Sequence, residues 1–385
     1  MRVTPELVST VAFLCARARS GQNLPGGTAF FVELPDESDP KRFWTYLVTA
    51  QHCLDEISGQ DVYVRINTVP NIGGPAGYED IKTHKGDWYP HWNADVAAIL
   101  APYDPARHAI QKVPIELFIG ANYRLDISTF DGRGNPVLEP VLRTAYPGGI
   151  PVELGHELFF PGLFIQSAGK TRNLPIVRFG HISRMPGDEM VSIRGAVSGT
   201  KQIRAFLAEF HSWGGHSGSP VFWHHEYNIT LPLNVPRWQP PQSSLLIQQK
   251  QFVPERIDVQ VARGWIEGLL GLMSAHFDIE VSPKDKSSRR SIEDIITGIN
   301  AGTAVITPAE NIRELLMSDE MKEDRARRAA QTNNEEPAAV ADFAGNDSAE
   351  QLTLAPNPKD RIKIPIPSKD EVLNVFKKAS RKKSH

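Results

Sequence analysis

From residue 8 to about residue 280 the chain repeats one pattern: short apolar, β-branched or aromatic runs separated by Gly, Pro, Asn and Asp. The runs "GTAFFVEL", "FWTYLVTA", "DVYVRIN", "DVAAILAP", "ELFFPGLFI", "PIVRFGHIS", "SPVFW" and "GLLGLMSAHF" are each about one strand long, with turn residues between them. Many short strands with turn signals predict an all-β sandwich or barrel. The first strand is expected over Val8 to Cys15. Further on, "INAGTAVITPAENIRELLM" reads as a strand followed by a helix with Pro308 at its start, where a fixed φ and a missing N–H do no harm.

Two stretches break the pattern. Residues 224–262 form a Pro- and Gln-rich insertion containing "RWQPPQSS", and loops of that length usually act as covers or appendages. After about residue 318 a charged helical stub gives way to residues 329–358, which carry five acidic side chains and no Lys or Arg. Such a composition cannot bury enough apolar surface to fold, so a disordered linker is expected there. The end, "RIKIPIPSKDEVLNVFKKASRKKSH", has Ser368 and Glu371 spaced as a capping box ahead of a short helix that finishes in a basic cluster. It reads either as a solvated tail or as a segment that docks on a partner or on the protein's own folded part. The organisation expected is a folded domain over 1–317, a disordered linker over 318–360 and a short basic segment over 361–385.

Composition narrows the function classes. With 41% hydrophobic and 23% charged residues the chain is that of a soluble globular protein. A formal net charge of -3 gives no basic field to draw nucleic acid or anionic lipid, so neither is expected as a partner. The two cysteines, Cys15 and Cys53, are too few for a disulfide framework, which suggests free thiols in a reducing, cytoplasmic setting. The opening "MRVTPELVSTVAFLCARARSG" superficially resembles a signal peptide, but Glu6 interrupts its n-region and the apolar run is short. No apolar run approaches the roughly 18 residues needed to cross a bilayer.

The chemistry-bearing residues are those of acyl transfer. A serine nucleophile needs a base to take its proton, a carboxylate to hold that base in the right tautomer, and N–H donors aimed at the developing oxyanion. His52 in "YLVTAQHC" stands where a β-run ends in a turn, rigid on one side and open on the other. Asp95 in "WNADVAAIL" stands at the mouth of an apolar run, where an acid must find a partner or lose its charge. Ser217 in "GGHSGSPVF" lies between glycines that let the backbone bend and its amides converge, while Pro220-Val221-Phe222 anchors the turn in the core. Each also has an ordinary reading: a loop histidine, a turn aspartate, a glycine-rich turn before a strand.

Together and in this order, "GTAFFV", "YLVTAQHC", "ADVAAIL" and "GGHSGSPVF" resemble the signatures of the trypsin/chymotrypsin-like serine peptidases. The order argues against an α/β-hydrolase, in which the serine comes first, and Ser219 breaks the Gly-x-Ser-x-Gly elbow. The resemblance extends from about residue 8 to residue 317. It implies two six-stranded antiparallel β-barrels, over about 1–145 and 150–317, with a C-terminal helix and the active site between them. It also implies a triad of His52, Asp95 and Ser217 and an oxyanion hole made by the N–H groups of Gly215 and Ser217. Substrate would lie against Ser274, Ala275, His276 and Gly302, with Ser274 also supporting the catalytic acid, and no cofactor or metal is implied.

The chain departs from the family's pattern at several points. His216 replaces the aspartate that in secreted members pairs with a newly cut N-terminus, so that activation switch is missing. Cys53 follows the catalytic histidine, but position 26, where its disulfide partner would lie, is glycine, and Cys15 is misplaced to substitute for it. His211 stands where trypsin keeps the acid of its specificity pocket, which argues against a Lys or Arg preference in favour of small, apolar or acidic side chains. His224 and His225 lack a second ligand cluster at metal-site spacing, and the "NIT" at 228–230 would be an inert glycosylation acceptor in the cytosol. The function expected is that of a serine endopeptidase acting on protein or peptide substrates. Two alternatives stand beside it: a protease-fold binding or scaffold protein with its cleft blocked by 224–262, and a latent protease that a partner activates through the tail.

Overall fold

The computed structural model describes residues 3–39, 41–70, 77–127, 142–143, 145–195, 199–210, 215–232, 248–254, 259–279, 299–334, 350–352 and 363–365. A one-turn helix, α1 (Pro5–Val8), opens the chain, and the first strand, β1 (Val11–Arg17), follows. Val8 was expected to begin that strand; instead Pro5 seeds a helical turn, and the Thr10 hydroxyl closes it by donating to Leu7 O at 2.7 Å. Just ahead of this turn, Thr4 ties the segment down: its N–H and hydroxyl both donate to the buried Glu267 carboxylate.

The first sheet comprises β1, β2 (Asn23–Pro35), β3 (Phe43–Thr49), β4 (Asp61–Asn67), β5 (Tyr78–His84), the two-residue β6 (Tyr89–Pro90), β7 (Ala97–Leu100) and β8 (Val113–Pro114). Between β3 and β4 lies the short helix α2 (Gln51–Glu56). The strand order is β5-β4-β1-β2-β3-β7-β6, with β8 alongside β2. β3 is apolar on both faces and buried from Trp44 to Thr49, as a strand covered on two sides must be. The sheet curls but does not close. Its edges, β5 and β6, are joined by a 3-10 turn at Lys85–Asp87, capped by the His84 ring, rather than by a ladder. One of the two expected closed barrels is therefore a half-barrel, because no ladder joins β5 to β6.

A short ribbon, β9 (Arg124–Leu125) with β10 (Ile150–Pro151), lies between the two sheets. The second sheet contains β11 (Glu157–Gly162), β12 (Ile176–Arg184), β15 (Phe206–Glu209), β16 (Pro220–Pro232), β17 (Gln248–Pro254), β18 (Val259–Ile279) and β19 (Ile299–Pro308), with a separate hairpin of β13 (Val191–Gly195) and β14 (Gly199–Ile203). Pairing runs β16-β11-β12-β15-β19-β18, and β18 returns to β16, so these six strands close a barrel. Aromatic side chains pack on both faces of β11. Phe159 stacks on Phe222 with centroids 5.2 Å apart, and Phe160 meets Phe210 edge-on at 5.0 Å. Each fully buried phenylalanine contributes about 1.5–3 kcal/mol relative to exposure. Both ends of the 224–262 insertion belong to a ladder, β16 and β18 pairing from Pro220↔Leu272 out to Pro232↔Val259.

After β19 comes helix α3 (Ala309–Leu316), as expected, and then α4 (Asp319–Asn334). The linker was expected from residue 318, but the first turns of α4 are packed. Met321 is buried, and Arg325 donates to Leu316 O at 2.7 Å and to the Tyr46 hydroxyl of β3 at 3.2 Å. The compact body comprises residues 1–70 and 75–326. A second unit, 71–74 and 327–385, contains the paired β20 (Glu350–Leu352) and β21 (Lys363–Pro365). The expected capping box at Ser368 and Glu371 lies outside the described residues, as does much of the 329–358 stretch. No helix among the described residues is long and apolar enough to cross a membrane.

Candidate active site

His52 sits in the first turn of α2, immediately after β3 delivers Thr49 and Ala50 to the edge of the half-barrel. Asp95 stands two residues before β7, the strand that pairs with β3, so their register (Thr49↔Ala97) brings the two residues together. Both carboxylate oxygens grip His52. Oδ1 accepts its backbone N–H at 3.0 Å, and Oδ2 lies 2.8 Å from Nδ1. Asp95 is 3% exposed. A carboxylate in that position holds the Nδ1 proton, so that in the neutral ring the lone pair lies on Nε2.

The loop carrying Asp95 is braced from behind. The buried His91 ring accepts the N–H groups of Asn93 at 3.2 Å and Ala94 at 3.0 Å on Nδ1, which places its own proton on Nε2, 3.2 Å from Glu314 of α3. Burial holds the His91 pKa below its ordinary value, opposed by Glu314 and assisted by the charge of Lys201. Trp92 stacks on this ring at 3.9 Å and is 65% exposed.

Ser217 belongs to the turn that enters β16. Gly215 and Gly218 both have positive φ, 97° and 80°, as the sharp reversal demands. A Cβ on Gly218 would lie 2.1 Å from Thr28 O and 2.4 Å from Thr49 Oγ1, so only glycine lets this turn close against the half-barrel. Thr28 of β2 is the junction, and it is fully buried. Its N–H donates to Ser217 O at 2.9 Å, its hydroxyl donates to Gly215 O at 2.8 Å, and the same hydroxyl accepts the Leu163 N–H at 3.0 Å. On the other side Gly218 N donates to Met273 O at 2.8 Å and Met273 N to Ser219 O at 2.9 Å, fixing the turn to β18. Among the described residues, no acceptor takes the N–H of Gly215 or of Ser217. The turn thus sets Gly218, the residue after half-exposed Ser217, beside Thr49–Ala50, the residues that lead into His52.

No hydrogen bond joins Ser217 Oγ to His52; the Nε2 of His52 has Cys53 Sγ at 3.9 Å. Burial works to lower the His52 pKa, but the adjacent Cys53 sulfur and the Asp95 carboxylate raise it to about 11. Both cysteines are free. The position facing Cys53 is Gly27, not Gly26: a Cβ on Gly27 would lie 3.3 Å from its Sγ, whereas one on Gly26 meets nothing within 4 Å. The register of β1 against β2 shifts between Leu14↔Gly27 and Cys15↔Pro25, leaving Gly26 as the extra residue of a bulge.

The remaining expected site residues are placed unevenly. Ser274 is buried on β18, and its hydroxyl pairs with Thr307 Oγ1 at 2.5 Å rather than with Asp95, so the support implied for the acid is not made. Ala275 is partly exposed beside it, and His276 pairs with Ala304 on β19. Gly302 has φ 79° and accepts the Phe210 N–H at 2.8 Å. His211 lies outside the described residues. His216 is fully buried, edge-on to Phe160 at 5.1 Å.

Of the histidines set aside as metal ligands, His225 takes a hydrogen bond with the Tyr146 hydroxyl at 3.0 Å. Burial, with the nearby His156 and His224, lowers its pKa to about 4. A cavity of about 980 Å³ is lined among others by Ile115, Arg124, Tyr146, Glu310 and Arg313; none of His52, Asp95 and Ser217 lines it.

No family model matches the chain, and no curated protein matches it either.

Proposed function

We propose that the protein is a serine endopeptidase that cleaves peptide bonds through an acyl-enzyme, built on a chymotrypsin-type pair of barrels of which the first is left open. The observation that carries this reading is the 2.8 Å contact between His52 Nδ1 and Asp95 Oδ2, set beside the glycine-bounded turn of Ser217. A structural histidine does not need a buried carboxylate holding both its ring and its own backbone N–H.

In the reaction, His52 Nε2 takes the Ser217 proton as Oγ attacks the scissile carbonyl carbon. Asp95 holds the ring and balances the imidazolium that forms. The carbonyl oxygen, now carrying the negative charge, enters the space faced by the Gly215 and Ser217 N–H groups; such donors contribute about 10²- to 10³-fold each. The imidazolium then protonates the leaving amine. Water, deprotonated by the same Nε2, releases the acyl group and restores Ser217. The Ser217–His52 hydrogen bond is expected to form with substrate in place, since such contacts often tighten only in the bound state. Ala275, His276, Gly302 and His211 would border the substrate side chain, with a preference for small, apolar or acidic residues over Lys or Arg.

The test is covalent labelling with a fluorophosphonate. Wild-type protein should carry one adduct, mapped by mass spectrometry to Ser217, and Ser217→Ala should carry none. Equal labelling of both proteins, or none on folded wild type, would refute the reading.

A further inference from the structure

The β13–β14 hairpin carries one residue that its own pattern does not call for. Val191 pairs with Ile203 and Ile193 with Lys201, and directly paired residues share a face. Three of these four side chains, Val191, Ile193 and Ile203, are buried in a cluster with Ala205 and Val305, against which Leu207 and Ala275 pack. Lys201 is the fourth, a cation on an apolar face. An ammonium placed there needs acceptors. It finds them on the half-barrel: Lys201 Nζ donates to Ala94 O at 2.8 Å and to Gln51 Oε1 at 3.3 Å. Ala94 precedes Asp95, and Gln51 precedes His52.

We propose that Lys201 is a positioning residue for the His52–Asp95 pair, a strut carried by a hairpin that packs on Val305 and Ala275, whose tip holds the backbone next to the acid and the side chain next to the base. His91 secures the Asp95 loop through its N–H groups; Lys201 secures it through a carbonyl, and among the described residues its hydrogen bond ties that loop to the hairpin. The hairpin is thereby coupled to the geometry of the pair, because a tilt of the hairpin moves Ala94 and Gln51 together. The effect on rate rests on the peptidase reading; the effect on the pair's geometry does not.

Two measurements on the full chain keep these apart. The first is the downfield proton NMR signal of His52 Nδ1–H, which reports the bond to Asp95 whatever Ser217 does. It should be sharp in wild type and in Lys201→Arg, which can still reach the two oxygens, and broadened or lost in Lys201→Met and in the polar but short and neutral Lys201→Gln. The second is the rate constant for fluorophosphonate labelling, which should fall about 10- to 100-fold in the Met and Gln variants, the range expected for misplaced catalytic groups, and recover in the Arg variant. A signal unchanged in Met and Gln, or lost equally in Arg, overturns the role of Lys201. A wild type that shows the signal but does not label overturns the peptidase reading and leaves the Lys201 comparison decisive.

Discussion

Replacing Gly27 by cysteine should create a disulfide with Cys53, and its magnitude can be worked from the structure. An ideal Cβ at position 27 lies 3.5 Å from Cys53 Cβ, within the range of about 3.5–4.5 Å found across disulfides. Gly27 is not among the residues with positive φ, so a side chain there strains no backbone. The bond would close a loop of about 27 residues, removing about 12 cal/mol/K of chain entropy from the unfolded state, or about 3.5 kcal/mol at 25 °C. The assay compares urea unfolding of oxidised and reduced Gly27→Cys, with Gly26→Cys alongside. Only the oxidised position-27 variant should show a raised midpoint and a bridged peptide by mass spectrometry. Free thiols at 27 under oxidising conditions, or a bridge formed from 26, would show that the bulge has been placed wrongly in the β1–β2 register.

Two further outcomes bear on the site. Cys53→Ala removes a group that raises the His52 pKa while leaving Asp95, so the pKa must fall; the acid limb of the labelling rate against pH should move to lower pH, and a limb that stays or moves upward refutes the coupling. Gly218→Ala places a Cβ 2.1 Å from Thr28 O at a φ of 80°. It should cost about 3 kcal/mol or more from backbone strain and overpacking, read by denaturant unfolding, and a cost below about 1 kcal/mol would mean this turn does not touch the half-barrel.

The site was partly legible along the chain because each piece sits in a local pattern: a histidine after a β-run, an aspartate before one, a serine between glycines. Their roles in the structure depend on register. Thr28 went unnoticed because a lone threonine after Gly-Gly looks like any strand residue, yet it ties Leu163, Gly215 and Ser217 to the half-barrel. Lys201 had a local signal, a cation where the alternation of Val191, Ile193 and Ile203 calls for an apolar side chain, but it needs the partner strand to be visible. The misplacement of Cys53's neighbour by one residue came from the bulge, since an extra residue in one strand reverses which side chains face inward.

The sequence by itself determined the mostly-β character, the helix after Pro308 and the choice of His52, Asp95 and Ser217 as candidates, because strand period, turn residues and side-chain types are local properties. Only the tertiary structure decided that one barrel closes and the other does not, that Ser274 bonds Thr307 instead of Asp95, and that α4 folds back onto Tyr46. Those outcomes depend on pairings between residues up to 279 positions apart, and no local pattern encodes which of many compatible strands or side chains will meet once the core has packed.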